Sequence, residues 1–156
     1  MGRMRLGRRL IRSQIITESQ LENALHIQEA TGKKIGEIIV EEKYATEKQV
    51  VQALAKQFKF RYIDLTKIDI DKEMIEFFPK SIVAERWILP LEKSESSITI
   101  IVADPLDSAT FTNLEFLFGC KIEIILTHWQ ALTESIKKYY QLEPKDKDDM
   151  WIVMSL

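Results

Sequence analysis

Apolar residues in the first third of the chain recur at helical spacing, in two stretches with the same outline. Residues 5–28 and 34–57 form two blocks of 24 residues, separated by a spacer of five residues. In each block a short amphipathic segment precedes a Thr-Glu-x-Gln sequence, at residues 17–20 and 46–49. This sequence is typical of a capping box, which begins a helix, and apolar residues at helical spacing follow it. Each block is therefore predicted to be a helix, a turn and a second helix.

The two blocks predict a lobe of their own. A pair of short helices cannot bury its apolar face alone, so we expect the repeats to pack against each other with approximate two-fold symmetry. After residue 58 short β-rich runs alternate with amphipathic helices, and residues 94–97 are typical of a hairpin turn. The predicted fold class is α+β: a helical lobe of two tandem helix-turn-helix repeats (residues 1–58), a small α/β lobe with about four strands (59–141), and a charged linker with an apolar tail (142–156).

Charge and composition add one feature to this picture. The chain has 46% hydrophobic and 29% charged residues, which is ordinary for a globular protein. Residues 1–58 hold ten Lys and Arg against seven Asp and Glu, and five arginines precede the first acid, Glu18. This end should attract an anion, although a solvated helix face explains an arginine run equally well.

Other features narrow the class of protein. Cys120 is the only cysteine, which excludes a disulfide framework, and we expect it to be a small buried residue. The sequence carries neither a signal-peptide pattern nor an apolar run long enough to cross a bilayer. We therefore expect a cytoplasmic protein without direct membrane insertion.

Two details of the repeat point to a binding site. Gly7 and Gly36 are the only glycines inside the blocks, and both stand at a predicted helix start, where backbone can approach a ligand closely. A cation, Arg5 or Lys34, lies two residues before each glycine, beside N–H groups that suit a phosphate. Two such half-sites would suit a ligand that is itself two-fold symmetric. The alternative is that the repeat serves packing alone.

The blocks resemble the tandem motif of the MshEN-type domain, the N-terminal domain of type II secretion system protein E and of type IV pilus assembly ATPases. The family motif opens Arg-Leu-Gly, and the first block keeps all three residues at 5–7. The segments FRYIDL (60–65), AERWILPL (84–91) and IVADPL (101–106) resemble the second part of the same domain, so the resemblance covers residues 5–141. The sequence departs from the motif at Lys34, and at Gln14 and Lys43, which replace the turn glycine.

The resemblance implies a receptor in which both motif copies hold one cyclic di-GMP, with arginine packed on guanine or phosphate. It implies a non-catalytic regulatory domain that relays the ligand to a secretion or pilus ATPase motor domain, with no metal and no other cofactor. The ligand-binding residues that it implies are Arg5, Leu6, Gly7, Leu10, Ile11, Leu21, Leu25, Gln28, Lys34, Ile35, Gly36, Ile39, Val40, Val50, Leu54, Gln57 and Asp104.

A second hypothesis, which the resemblance also implies, is a docking adaptor that holds the motor to an inner-membrane platform protein without any nucleotide. Such a partner would recruit the chain to the inner-membrane face. The departures from the motif favour this hypothesis, and the two roles are compatible. Nucleic-acid binding through a helix-turn-helix is disfavoured, because the second helix of the first block offers Glu22 and Glu29 instead of a basic face.

Catalysis is also disfavoured. The only Gly-Lys pair, Gly32-Lys33, has isoleucine where a P-loop needs its first glycine and lysine where it needs serine or threonine. His26 and His128 lie outside any cluster with metal-ligand spacing, so we expect no metal site. The sequence therefore predicts a protein that is not an enzyme.

Overall fold

A computed structural model describes residues 5–103 and 108–144 of the chain. The described residues divide into two compact units, which comprise residues 5–59 and residues 60–144. The first unit is helical and contains both sequence repeats, whereas the second combines helices with one sheet. The observed fold class is α+β, as the sequence predicted.

Each repeat of the first unit consists of a short helix and a longer helix. The four helices are α1 (Leu6–Arg12), α2 (Glu18–Thr31), α3 (Ile35–Glu41) and α4 (Glu47–Phe58). Both predicted capping boxes are confirmed. The Thr17 hydroxyl accepts from the Gln20 backbone N–H at 3.1 Å, and Thr46 does the same for Gln49 at 3.1 Å. These bonds satisfy backbone donors that a helix start would otherwise leave without a partner.

The two repeats pack crosswise. Helix α1 contacts α4 of the other repeat, and α2 contacts α3, so each short helix lies against the long helix of its counterpart. The predicted packing of the two repeats against each other is confirmed by this exchange, which is the arrangement that an approximate two-fold axis would produce. Four apolar side chains, Leu10, Ile39, Val50 and Leu54, have an exposed fraction of 0% and lie in the core of the unit. Leu10 and Ile39 occupy equivalent positions of the two repeats.

Both short helices end in the same left-handed turn. After α1, the N–H of Ile15 donates to the Leu10 carbonyl at 2.9 Å, and the N–H of Gln14 donates to Ile11 at 2.9 Å. Lys43 and Tyr44 repeat these two bonds after α3. This pair of bonds is a Schellman motif, whose left-handed residue is usually glycine. Here the residues are Gln14, with φ of 59°, and Lys43, with φ of 61°, so both turns keep their shape without glycine.

The second unit is built around a four-stranded sheet. Its elements in chain order are β1 (Arg61–Tyr62), a short 3-10 helix (Leu65–Lys67), α5 (Lys72–Phe77), α6 (Lys80–Arg86), β2 (Leu89–Lys93), β3 (Ser97–Val102), α7 (Ser108–Phe118), β4 (Lys121–Leu126) and α8 (Trp129–Tyr140). The strand order is β1-β4-β3-β2. Strand β4 pairs in parallel with β1 and β3, while β2 and β3 form an antiparallel hairpin.

The two interior strands differ in how their successive residues are buried. In β3 the five residues after Ser97 are buried, as expected of a strand that is covered on both faces of the sheet. Strand β4 is also an interior strand, but it begins with alternating exposed and buried residues. The predicted hairpin turn is confirmed: the N–H of Ser94 donates to the Ser97 carbonyl at 2.8 Å. Trp87 packs within this unit, and its indole N–H donates to the Thr133 hydroxyl at 3.0 Å.

One sequence prediction about the second unit is wrong. Cys120 is half-buried and not fully buried, because it lies at the start of β4 after the left-handed Gly119, at the edge of an open groove. In the described ranges, no helix combines the length and the apolar character that crossing a bilayer requires. Most of the predicted linker and the apolar tail lie outside the described residues.

Candidate functional site

The first unit contains a pocket at the start of the first repeat. Its volume is about 390 Å³, which lies within the range of about 300–1,000 Å³ that is typical of small-molecule sites. The residues that line it are Arg5, Leu6, Gly7, Arg8, Leu21, Leu25, Gln28 and Ile35. Seven of these eight residues are among the ligand-binding residues predicted from the tandem motif, although they are spread over 31 positions of the sequence. Folding therefore gathers the first motif around one cavity.

The shape of the pocket depends on a close approach between helices α1 and α2. A Cβ atom added to Gly7 would lie 2.5 Å from Cδ1 of Leu21, which is closer than side-chain atoms pack. Glycine at this position thus lets the start of α1 rest on α2, so the packing explanation holds for Gly7. Both residues also line the pocket, so the same approach shapes its wall.

The apolar part of the lining includes one unusually accessible side chain. Leu25, on α2, is 44% exposed, although a leucine on this helix has buried neighbours such as Leu21 and Ala24. Gln28, one turn further along, donates from its side-chain amide to the Lys33 carbonyl at 3.3 Å. This bond ties the end of α2 to the spacer, just before Ile35 enters the lining. The pocket therefore offers an apolar surface next to a polar amide, as a flat heterocyclic base requires.

The charged part of the lining consists of two arginines. Arg5 is exposed and precedes α1 in an extended conformation, and its guanidinium forms no ion pair within the described part of the chain. Arg8 is paired: its Nη1 lies 2.7 Å and 2.9 Å from the two carboxylate oxygens of Glu18. No acidic residue lines the pocket. The rim is therefore cationic and suits a phosphate.

Arg8 is the one lining residue that was not among the ligand-binding residues predicted from the motif. It occupies a variable position of the motif, and the equivalent residue of the second repeat is Glu37. Comparison of the two repeats therefore gave no reason to select it. The run of arginines ahead of Glu18 was the available signal, but it did not distinguish Arg8 from its neighbours.

The remaining predicted residues lie elsewhere. The members that are fully buried in the core are Leu10, Ile39, Val50 and Leu54. The members that are buried or half-buried outside this pocket are Ile11, Lys34, Gly36, Val40 and Gln57. A fully buried side chain has no surface to offer a ligand, so the first group shapes the pocket through packing. Asp104 lies outside the described residues.

Two residues of the second repeat differ in environment from their equivalents in the pocket lining. Leu54 occupies the motif position of Leu25 but has an exposed fraction of 0% against 44%. The side-chain oxygen of Gln57, the equivalent of Gln28, is buried and accepts no hydrogen bond from the described residues. The two copies of the motif thus fold alike but differ in accessibility. Across residues 5–103 and 108–144, no group of three or more His, Cys, Asp or Glu side chains is placed to hold a metal ion.

Solved structures align with most of this chain. The structure of MshE with cdg aligns with a TM-score of 0.73 and 27% identity, covering 88% of this chain and 100% of that chain. The N-terminal domain of XpsE aligns with a TM-score of 0.62 over 90% of this chain and 99% of its own. At 12% identity the second match demonstrates a shared fold only.

Sequence comparison gives a consistent result. The chain is 27% identical over 146 residues to the type IV pilus assembly ATPase PilB of Myxococcus xanthus strain DK1622. That match covers 94% of this chain, which spans about a quarter (26%) of the relative's length. The MshEN domain model matches residues 58–146, which is more than half of the chain and begins where the tandem blocks end. The resemblance inferred from the tandem motif is thereby confirmed, and the chain belongs to the MshEN domain family.

Proposed function

We propose that this chain is a non-catalytic regulatory domain of a pilus or secretion ATPase system, and that it binds cyclic di-GMP in the pocket of its first unit. One observation carries the proposal: folding brings seven motif residues together around a cavity with a cationic rim and an apolar wall. The likeness to MshE, whose structure was solved with cdg, supports the choice of ligand.

The chemistry of the pocket suits a guanine nucleotide. Leu21, Leu25 and Ile35 supply apolar contact for a base, and the planar guanidinium of Arg5 stacks on a purine or forms paired hydrogen bonds with a phosphate. Gln28 provides an amide that can bond to a base edge. In the second repeat, Lys34 occupies the position that corresponds to Arg5. It contributes a positive charge without the planar geometry of a guanidinium.

Isothermal titration calorimetry of the purified chain tests this proposal. Cyclic di-GMP should bind with saturation and with one ligand per chain, whereas GTP and cyclic AMP should bind weakly. Arg5→Ala should weaken the affinity about fivefold to a hundredfold, which corresponds to roughly 1–3 kcal/mol for a charge-assisted contact. The matched control is Arg12→Ala, on the same helix and exposed but outside the pocket lining. Absence of binding, or equal effects of the two variants, would overturn the proposal.

A docking role is the second candidate, and exposed apolar side chains on α5 and α7 of the second unit favour it. The exposed fractions are 92% for Phe116, 62% for Leu117 and 40% for Phe77. Extensive exposed apolar surface is typical of protein–protein contacts. The proposed partner is the cytoplasmic domain of an inner-membrane platform protein. Its capture by the chain should be insensitive to cyclic di-GMP and should fall in Phe116→Ser. Unchanged capture in that variant would exclude this surface of α7 as the docking site.

A further inference from the structure

The ion pair between Arg8 and Glu18 lies at the rim of the pocket. Arg8 belongs to the lining, while Glu18 is the first residue of α2 and does not line the cavity. Both contacts to the carboxylate use Nη1, at 2.7 Å and 2.9 Å. The guanidinium therefore keeps N–H donors on Nη2 and Nε that Glu18 does not use. Glu18 therefore contacts only one of the three nitrogen atoms of the Arg8 guanidinium.

The ion pair between Arg8 and Glu18 can be replaced by another contact of Arg8 at little cost in free energy. The side chains of Arg8 and Glu18 are 61% and 60% exposed, and an ion pair so open to water contributes little to stability. A phosphate group presents several acceptor oxygens to a guanidinium, and such charge-assisted contacts are among the stronger hydrogen bonds. A phosphate in the pocket would therefore compete with Glu18 for Arg8.

The second repeat cannot make the same exchange. The residues at the positions of Arg8 and Glu18 are Glu37 and Glu47, so a carboxylate stands where the first repeat has a guanidinium. The ion pair between Lys33 of the spacer and Glu41, at 2.9 Å, involves residues outside the pocket lining. The cationic contacts to an anionic ligand are thus concentrated in the first repeat.

We propose that Arg8 is a ligand-binding residue of this pocket, and that Glu18 is its intramolecular competitor. On binding, Arg8 exchanges the Glu18 carboxylate for a ligand phosphate, so Glu18 sets the affinity of the site. The inference rests on the proposed function, because it takes a phosphate-bearing nucleotide as the ligand. It adds a residue that the family motif leaves variable and makes the two half-sites unequal.

A double-mutant cycle tests the exchange. The affinities of wild type, Arg8→Ala, Glu18→Gln and the double variant are measured for cyclic di-GMP by calorimetry. Glu18→Gln should tighten binding about twofold to fivefold, the range set by the strength of an exposed ion pair, and Arg8→Ala should weaken it by a similar factor. In the Arg8→Ala background, Glu18→Gln should have no effect, because the competitor acts only through Arg8. The control is Glu41→Gln, which breaks an exposed ion pair outside the pocket and should leave the affinity unchanged.

The cycle also separates this inference from the proposed function. If Glu18→Gln has no effect, or tightens binding equally without Arg8, the exchange is overturned while cyclic di-GMP binding stands. All four proteins are also titrated with GMP, which carries a guanine and one phosphate. Coupled effects on GMP binding without any cyclic di-GMP binding would support the exchange and overturn the proposed ligand. Absence of binding to either nucleotide by all four proteins would overturn both.

Discussion

Leu21 fills the space in which any side chain at residue 7 would stand. A Cβ built on Gly7 falls 2.5 Å from Cδ1 and 3.4 Å from Cγ of Leu21, which is itself 5% exposed. The contact joins the start of α1 to the start of α2, and both residues line the pocket. Packing of the repeat and shape of the candidate site therefore depend on the same pair.

Gly7→Ala should reduce the free energy of unfolding by about 1–2 kcal/mol, since extra atoms in a packed contact displace their neighbours. The cost should disappear in a Leu21→Ala background, where the added methyl group has room. There the gain in helix propensity, up to about 1 kcal/mol, should make alanine neutral or favourable. Urea denaturation of the four proteins measures this coupling. An equal cost of Gly7→Ala in both backgrounds would contradict the steric explanation.

Glycine substitutions in the left-handed turns after α1 and α3 should stabilise the folded protein. Gln14 and Lys43 adopt φ values of 59° and 61°, which are unfavourable for residues with a side chain. Gln14→Gly and Lys43→Gly should each raise the free energy of unfolding by about 0.5–1 kcal/mol, because glycine adopts this conformation without steric cost.

The matched control for the turns is Glu22→Gly. Glu22 is exposed within α2, where glycine lacks the advantage of a left-handed position and should cost about 1 kcal/mol. Thermal denaturation of the three variants should therefore show two increases and one decrease in Tm. Destabilisation by glycine at all three positions would mean that the turns carry no strain.

Repetition made the first unit predictable from its sequence. The capping boxes at Thr17 and Thr46 fixed where the long helices begin, because they rest on local hydrogen bonds between residues three positions apart. The accessibility of equivalent positions was not predictable in the same way. Leu25 and Leu54 share a motif position, yet one is 44% exposed and the other 0%, since exposure depends on what packs over each residue. Arg8 was missed because the motif leaves its position variable and the second repeat has Glu37 there, so only the folded structure shows that it lines the pocket.

The capping threonines should contribute equally in the two repeats. Thr17→Ala and Thr46→Ala each remove an acceptor for a backbone N–H, so each should lower the free energy of unfolding by about 1 kcal/mol. Thr17→Ser and Thr46→Ser keep the hydroxyl and should cost less than the alanine variants. Chemical denaturation measures all four changes. Equal losses for serine and alanine would show that the hydroxyl is not the stabilising group.

Tyr140 should make the stability of the second unit depend on alkaline pH. It is 5% exposed at the end of α8, and its hydroxyl donates to the Ile75 carbonyl at 3.2 Å. Burial raises the pKa of Tyr140 from 10.0 to about 12. Between these values the folded protein retains a proton that the unfolded chain has released, so the stabilisation is complete below pH 10 and is lost as the pH rises towards 12.

Tyr140→Phe isolates this contribution. Near neutral pH the variant should be less stable than wild type by about 0.5–1.5 kcal/mol, because it loses the hydrogen bond to Ile75. As the pH rises above about 10, wild type loses the stabilisation from its protonated phenol while phenylalanine has no proton to lose, so the difference should shrink. Urea denaturation of both proteins from about pH 8 to about pH 11 measures the difference. A difference that stays constant over this range would mean that the Tyr140 phenol titrates alike in the folded and unfolded chains.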